Sequence, residues 1–540
     1  MKKTNLSWVG ALLVFALLLW CTAATPGTIA DPASYAPAVY SSMLSLLPPV
    51  VAIVLALNTK EVYTSLLVGI ATGALLFANG NLELALNTLF FNEDGGMVAK
   101  LSDSSNVGIL GFLGIILAGA LLLMLPVSSR MGVVTPFSDA LLTATSATCV
   151  TGLVVHDTAT YWSPFGHLVL LALIQTGGMG VVTVAVSVVM FSGRKIGLRQ
   201  RWVMQESISA PQVGGIVRMT SFILKAMLLI EGTGALLLSL RFCPQFGLLQ
   251  GLWYGIFHSV SAFCNAGFDL MGTSAPFSSL TGYVGDPLVW GPIALLILAG
   301  GLGFLTWQDL REHRLHFRAY RLQSKLILVS TAGLLLLSFL FFQCYEFRLP
   351  QWAELSGWER LNAAAFQAVT PRTAGFNSVD LTLLSEPGKL VTILLMLVGG
   401  SPGSTAGGFK VTTLAVLLLS ARAVFFRRGS PSCFGRRFQD EALRSASAIF
   451  LMYLVFFLLG GTLICCIDGV PLLDALFESA SAIGTVGLSI CGTPGLSLPS
   501  HLILTFLMYV GRVGGLTMIY AVTSGSPVSS QYPQERVTVG

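Results

Sequence analysis

Charged residues are scarce in this 540-residue chain: they make up 10% of it, whereas 54% of the residues are hydrophobic. Soluble domains carry roughly 25% charged residues, so the composition excludes an ordinary soluble enzyme, and the modest net charge of +5 gives no reason to expect a nucleic-acid partner. The nine cysteines form no CxxC pair and have no histidine partners at metal spacing, so neither a disulfide framework nor a transition-metal site is predicted. A polytopic membrane protein is the class that fits.

The chain does contain one short pattern four times: Leu or Phe, any residue, Ala or Ser, any residue, Ser or Thr, and a Gly five or six positions later. The copies end on Gly152, Gly267, Gly375 and Gly487, which lie about 110 residues apart. Each copy stands between two apolar runs, most of them long enough for a helix that crosses roughly 30 Å of hydrocarbon, which takes about 20 residues. The repeat therefore predicts four similar units around one axis.

The patterned segments themselves are too short to span a membrane, so we interpret each as a short pore helix followed by an irregular strip. Such backbone is tolerated at membrane depth only where it is buried in protein or lines a watery cavity. The predicted fold is an all-α polytopic membrane protein with four pseudo-symmetric helix–pore-loop–helix units around one central pore. The predicted divisions are 1–106, an N-terminal hydrophobic extension with a signal-like segment and two apolar stretches; 107–201, 202–324, 325–437 and 438–522, the four pore units; and 523–540, a cytoplasmic tail.

Basic residues indicate the orientation, because cytoplasmic loops carry an excess of Lys and Arg. They cluster after the second apolar run of units one, two and three, so these loops are expected to face the cytoplasm and the pore loops to enter from outside. The clusters are Arg194, Lys195, Arg199 and Arg201; Arg311, Arg314, Arg318, Arg321 and Lys325; and Arg422, Arg427, Arg428, Arg436 and Arg437. The predicted location is the cell (plasma) membrane, which the chain crosses several times.

The strips are candidates for cation selection, since a dehydrated cation needs oxygen ligands that replace its water shell, and backbone carbonyls of an extended strip supply them. A Gly at the end of the strip permits backbone angles that other residues avoid. The predicted selectivity filter, with K⁺ held at its carbonyls, consists of Val150, Thr151 and Gly152; Asn265, Ala266 and Gly267; Thr373, Ala374 and Gly375; and Thr485, Val486 and Gly487.

Two further features lie in the second apolar runs. Arg512 occupies the slot where the other three units have Gly178, Gly301 and Gly400, and a charged side chain at mid-membrane is expensive and usually functional. In unit three, Pro402 and a series of glycines interrupt the helix, which predicts a flexible loop within the membrane at 399–410. A nucleotide-binding P-loop is not predicted there, because the lysine does not directly follow the second glycine.

Four stretches carry a family resemblance: DALLTATSATCVTGLVV at 139–155, VTPRTAGFN at 369–377, GSPGSTAGGFK at 400–410 and VGRVGG at 510–515. Through them, residues from about 107 to 522 resemble the Trk/Ktr/HKT superfamily of potassium transporters, most closely the bacterial Ktr-type membrane pore subunit. The resemblance implies potassium selectivity at the four strips and a gate below them. The implied gate residues are Arg512, Gly399, Gly400, Ser401, Pro402, Gly403, Ser404, Thr405, Gly407, Gly408 and Lys410.

The same resemblance implies a homodimer in membrane lipid that works with a cytoplasmic ring of nucleotide-binding regulatory subunits. No covalently bound cofactor is expected, K⁺ is the substrate, and Na⁺ is a candidate activator. The expected function is therefore potassium uptake through a single selective, gated pore, and the protein is not expected to be an enzyme.

Two alternatives were weighed. Residues 46–62 loosely resemble the start of a sodium/proton antiporter family, but an antiporter needs titratable carboxylates at mid-membrane, and the stretch 43–79 offers only Glu61. A membrane enzyme would need a His, Asp and Glu constellation, and the six histidines show no ligand spacing. Three acids have two possible roles. Asp157, Asp269 and Asp380 either concentrate cations at the outer mouth of the pore or are ordinary loop acids. Glu478 and His258, on pore helices, are interpreted as structural.

Overall fold

The computed structural model describes residues 104–180, 216–273, 275–314, 316–427 and 431–514. Most of the predicted extension 1–106, the basic cluster at 194–201 and the predicted tail 523–540 lie outside these residues. The chain divides into two compact parts, Met1–Val107 and Gly108–Gly540, and apart from residues 104–107 the description concerns the second. Within this second part, the four pore units are numbered by the predicted boundaries.

Each pore unit follows the same order of outer helix, pore helix, strip and inner helix. Unit 1 contains α1 (Ser104–Leu123), the pore helix α2 (Phe137–Thr148), a short α3 (Thr158–Tyr161) and α4 (Pro164–Met179). Unit 2 contains α5 (Ile216–Phe246), the pore helix α6 (Leu248–Phe263), α7 (Pro287–Gly301) and α8 (Phe304–His313). Unit 3 contains α9 (Leu322–Cys344), the pore helix α10 (Gly357–Val369), α11 (Glu386–Leu397) and α12 (Val411–Phe425). Unit 4 contains α13 (Asp440–Asp468), the pore helix α14 (Leu472–Ile483) and α15 (Leu498–Val513).

The sheet content of the described residues is one small hairpin at the end of unit 3. Its strands are β1 (Ser432–Cys433) and β2 (Arg436–Arg437), which pair antiparallel with Ser432 opposite Arg437.

Among the described residues, three helices are long and apolar enough to cross a membrane: Val217–Phe246, Leu322–Arg348 and Glu441–Asp468, with 30, 27 and 28 residues. In the most apolar 18-residue stretch of each helix, at most 39% is buried inside the protein. Much of the apolar surface of these helices therefore faces outward. A helix that is apolar all round belongs in a large core or in lipid. These outer helices are therefore suited to contact lipid.

The pore helices are different, because they have only 12 to 16 residues and are mostly buried. At 1.5 Å per residue they reach about 18–24 Å, less than the hydrocarbon thickness. The first position of the repeated pattern anchors each of them in the core: Leu142, Phe257, Phe366 and Phe477 are all at most 1% exposed.

The inner helix of unit 2 is shorter than a single apolar run would suggest, because it is bent. It ends at Gly301, and the chain turns by 96° before α8 begins at Phe304. Gly303, with φ of +85°, makes the turn possible. In unit 3, by contrast, the inner helix is interrupted between α11 and α12, where Pro402 and the glycines predict a break.

Candidate functional site

The repeated Ser or Thr fixes the strip that follows each pore helix. In every unit its carbonyl oxygen accepts a hydrogen bond from the backbone N–H of the second strip residue. The pairs are Thr151 to Ser146 at 2.8 Å, Ala266 to Ser261 at 2.8 Å, Ala374 to Thr370 at 3.1 Å and Val486 to Ser481 at 2.8 Å.

The hydroxyl of the same residue makes a second bond to the strip, in two different ways. In units 1 and 4 it accepts from the glycine N–H, with Gly152 and Gly487 each 3.0 Å from the serine Oγ. In units 2 and 3 it donates instead to the carbonyl of the residue after the glycine, Phe268 at 2.7 Å or Phe376 at 2.6 Å. The pattern therefore requires Ser or Thr because this side chain secures the strip, a role that sequence reasoning missed.

The strips have an unusual backbone that is repeated four times. The first residues, Val150, Asn265, Thr373 and Thr485, have φ between +51° and +62°. The closing glycines have φ between +70° and +100°. Left-handed conformations at non-glycine residues cost about 1–3 kcal/mol each and persist only where the surroundings enforce them. The same strained conformation recurs in all four units, so the surroundings of each strip enforce it.

The four closing glycines form a closed ring, as a Cβ placed on each would meet the next unit. On Gly152 it would lie 2.7 Å from the carbonyl oxygen of Ala266, and on Gly267 it would lie 2.8 Å from that of Ala374. On Gly375 it would meet the Val486 carbonyl, and on Gly487 it would meet the Thr151 carbonyl, which returns to unit 1. The structure thus brings all four predicted strips together around one point.

The ends of the pore helices lie directly before these strips. Helices α2, α6, α10 and α14 end at Thr148, Phe263, Val369 and Ile483. A helix C-terminus carries a partial negative charge of about half an electron, which favours a cation nearby. Four such ends converge on the ring.

The loop 399–410, predicted to lie within the membrane, connects α11 and α12 and closes on itself. Its two ends pair in a parallel bridge between Val398 and Phe409, and the Gly399 N–H donates to the Phe409 carbonyl at 2.9 Å. The Val411 N–H donates to the Gly400 carbonyl at 3.0 Å. Within the loop, Lys410 Nζ donates to the Ala406 carbonyl at 2.8 Å. The interrupted helix is therefore an ordered turn in this structure.

The loop docks against the broken inner helix of unit 2. The Ser401 N–H donates to the Gly301 carbonyl at 3.0 Å, and the Phe304 N–H donates to the Gly403 carbonyl at 2.8 Å. The loop also lies against the base of strip four, since a Cβ on Gly407 would meet Thr485 Oγ1. The loop thus binds at the 96° turn in unit 2, and no local sequence signal predicted this contact.

Arg512 connects three units beneath the strips. From α15 in unit 4, its guanidinium donates to the Thr405 carbonyl in the loop, to the Gly177 carbonyl at the end of α4, and to the Gly178 carbonyl at 3.3 Å. The partners are carbonyl oxygens, including the negative end of a helix in unit 1, which favours a cation there. The predicted gate residues Arg512 and Thr405 are therefore in direct contact.

Hydrogen bonds give structural roles to the pore-helix histidine and to most of the acids singled out in the sequence. Asp157 accepts from the Thr160 N–H at 2.9 Å as a helix cap and also from the Phe277 N–H at 2.9 Å. His258 accepts from the Leu270 N–H at 3.2 Å and bonds the Tyr254 carbonyl, so it is the neutral tautomer protonated on Nδ1. 

Two other acids support the chain in the same way. Glu478 accepts from the Ile490 and Cys491 N–H groups at 2.9 and 3.1 Å, behind strip four. Asp380 caps the Thr382 N–H at 2.9 Å. These carboxylates hold the segments that leave the strips.

One buried carboxylate had no partner visible in the sequence. Glu231 in α5 is 6% exposed, and Gln175 Nε2 in α4 lies 3.1 Å from both of its carboxylate oxygens. The Cys264 thiol at the end of α6 is 3.9 Å from the same carboxylate. The cluster ties unit 1 to unit 2, and only the fold could reveal a pair 56 positions apart.

In the described part of the chain, one group of side chains has the spacing of a metal site. The ligand atoms of Asp309, Glu312 and His313 lie within 4.8 Å of one another. Asp309 is already engaged, as it pairs with Arg321 at 3.4 Å and accepts from Ser324 Oγ at 2.7 Å. This group lies in α8, away from the ring of glycines.

Comparison with known proteins identifies the family. The model of the TrkH family, described as cation transport proteins, matches residues 94–530. The chain belongs to this family. It is similar to the potassium/sodium uptake protein NtpJ of Enterococcus hirae, with 38% identity over 80% of this chain and 96% of that protein. It is equally similar to the Ktr system potassium uptake protein B of Bacillus subtilis, with 38% identity over 80% of this chain and 95% of that protein.

A solved structure shows the same fold. The crystal structure of the potassium transporter TrkH from Vibrio parahaemolyticus matches 97% of this chain and 99% of its own, with a TM-score of 0.62 and 16% identity. The predicted membership of the Trk/Ktr superfamily and the predicted all-α membrane fold are confirmed. This TrkH family member is an integral, multi-pass membrane protein.

Proposed function

We propose that this protein takes up potassium across the cytoplasmic membrane through a single selective, gated pore. The ring of glycines carries the proposal: four strips with the same strained backbone meet at one point, and each closing glycine abuts the carbonyl of the next strip. Carbonyl oxygens grouped in this way can replace the water shell of an alkali cation. The strips at 150–152, 265–267, 373–375 and 485–487 are the proposed filter.

The electrostatics of the site support a cation and disfavour an anion. Four pore helices end at the ring and contribute partial negative charge, and the positive charge of Arg512 is held by carbonyl oxygens. No proton transfer or bond cleavage is needed for passage. We therefore place the protein among transporters and not among enzymes, in agreement with the names of its relatives.

The proposed gate is formed by Arg512 and the intramembrane loop 399–410. The loop touches the base of strips two and four, and the guanidinium joins the loop to the inner helix of unit 1. Because Arg512 carries a positive charge below the filter, it opposes the passage of potassium until it moves aside. Opening then requires the loop to leave its seat on unit 2.

The substrate and the partners follow from the relatives. One relative is named a potassium/sodium uptake protein, which supports K⁺ and Na⁺ as transported ions, whereas the activator role of Na⁺ stays a prediction. Others are named as proteins of the Ktr system, which supports a function together with a regulatory subunit. We propose a homodimer bound to a cytoplasmic nucleotide-binding ring. The antiporter alternative is not favoured, since the matched relatives are uptake proteins and the stretch that suggested it lies outside the described residues.

The test is growth of a host that lacks potassium uptake, with the full chain expressed at limiting potassium. Rescue that persists when the proton gradient is collapsed at constant membrane voltage supports a potassium pore. Rescue that is lost on collapse, with proton-coupled sodium efflux in its place, would favour the antiporter and overturn the proposal.

A further inference from the structure

The second strip begins with a residue unlike those of the other three. Asn265 stands where the other strips have Val150, Thr373 and Thr485, and all four have positive φ. Asparagine adopts left-handed backbone more readily than β-branched residues do. It is also the residue at this position that carries a carboxamide, which offers both donors and an acceptor.

The Asn265 carboxamide touches the intramembrane loop on one side and strip three on the other. Its Oδ1 is 3.1 Å from Thr405 Oγ1 in the loop. Its Nδ2 donates to the Arg372 carbonyl at 3.3 Å and to Thr373 Oγ1 at 3.4 Å. Asn265, Thr405 and Thr373 are all fully buried, so water cannot replace these partners freely.

Thr405 is the residue through which the loop meets its neighbours. Its hydroxyl is 3.0 Å from the Phe263 carbonyl as well as 3.1 Å from Asn265 Oδ1. Its N–H donates to the Gly300 carbonyl at 3.3 Å, and its own carbonyl accepts from Arg512. A Cβ on Gly300 would lie 2.6 Å from Thr405 Oγ1 and 2.7 Å from Asn265 Oδ1, so this contact requires a glycine in the inner helix of unit 2.

We propose that the Asn265 carboxamide couples the gate to the filter, an inference that rests on the proposed function. When the loop leaves, it removes the one hydroxyl hydrogen of Thr405 that Asn265 Oδ1 and the Phe263 carbonyl share in a buried place, which is unfavourable. The carboxamide can then reorient, and the restraint that it places on the base of strip three is released. Asn265 is thus a positioning residue that makes the ion affinity of the filter depend on the state of the loop.

Coupling of this kind is reciprocal. If docking of the loop changes the affinity of the filter for potassium by some factor, then potassium in the filter changes the equilibrium of the loop by the same factor. Typical couplings between two sites change affinity about 5- to 150-fold. The concentration of K⁺ for half-maximal uptake should therefore shift when the contact is cut, in addition to any change in basal flux. A latch that only holds the loop shut would change the flux alone.

The experiment measures rubidium uptake by the full chain in vesicles, competed by K⁺ and by Na⁺. Thr405→Val removes the hydroxyl with little change of shape and should shift the half-maximal K⁺ concentration at least about fivefold, whereas Thr405→Ser retains the hydroxyl and the wild-type value. Asn265→Gly permits positive φ but removes the carboxamide, and Thr405→Val should add no further shift in that background.

Independent shifts that add in the double variant, or higher basal uptake with an unshifted half-maximal concentration, would overturn the coupling. If Asn265→Gly does not fold, the Thr405→Val and Thr405→Ser pair decides alone by the same criterion. The wild type in the same vesicles separates the two claims. Absence of K⁺-competed uptake there overturns the proposed function and the coupling with it, whereas wild-type uptake with unshifted variants overturns the coupling alone.

Discussion

Replacing Gly487 with alanine is the sharpest single perturbation of the proposed filter. The residue has φ of +94°, and a Cβ there would meet the Thr151 carbonyl oxygen and lie 2.9 Å from the Gly152 Cα. Both are backbone atoms of the neighbouring strip, which cannot turn away as a flexible side chain can. The substitution must therefore move either strip four or the carbonyl of strip one.

The size of the effect follows from the strain. A non-glycine residue in such a backbone conformation costs about 1–3 kcal/mol. If that strain is relieved by displacing the Thr151 carbonyl, the free energy by which the filter prefers K⁺ over Na⁺ falls by a similar amount. Since 1.4 kcal/mol corresponds to a factor of ten, selectivity for K⁺ over Na⁺ should fall by about 5- to 150-fold.

The assay is rubidium uptake into vesicles, with K⁺ and Na⁺ as competitors. Gly495→Ala in the outer loop of the same unit is the matched control, because nothing lies within 4 Å of its Cβ. It should leave selectivity unchanged. A folded Gly487→Ala protein with undiminished preference for K⁺ would refute the assignment of strip four to the filter.

Three further outcomes are expected. Trimming 403–408 should raise basal uptake, because it removes the segment beneath the strips; unaltered uptake would remove the loop from the gate. Arg512→Ala should also raise basal uptake, and Arg512→Lys should reverse this only in part, since lysine lacks the planar fork that reaches carbonyls in two other units. Ser356→Ala breaks the capping box of α10 and should lower the free energy of unfolding by about 1 kcal/mol, measured by thermal melting. The hydrogen bonds from the Ser356 backbone and side chain lower the pKa of Glu359 in the folded protein. The ionised Glu359 carboxylate therefore stabilises the fold at pH values above its ordinary pKa. This stabilisation is lost as the pH falls through the lowered pKa of the folded state.

The fold could be predicted because the pattern is repeated. One Ser or Thr followed by Gly would have been weak evidence, but four copies behind buried Leu or Phe at similar spacing indicate a shared environment. The break in unit 3 was equally visible, as Pro402 and its neighbouring glycines cannot continue a helix. In each case the signal was local in sequence.

The parts that could not be predicted depend on contacts between units. The 96° turn before Phe304 forms the surface on which a loop about 100 positions away binds. Gly303 alone does not predict this turn. Likewise, Arg512 was visible as an isolated charge, but its carbonyl partners belong to units 1 and 3. The Glu231 and Gln175 pair shows the same limit, because residues that meet across two units share no local pattern.

The most direct test is the anomalous diffraction of crystals of the full chain soaked in rubidium or thallium. We predict ion density on the axis of the ring, bounded by the carbonyl oxygens of Thr151, Ala266, Ala374 and Val486. Ion density elsewhere with none at the ring, or a structure in which the four glycines stand apart, would contradict this prediction.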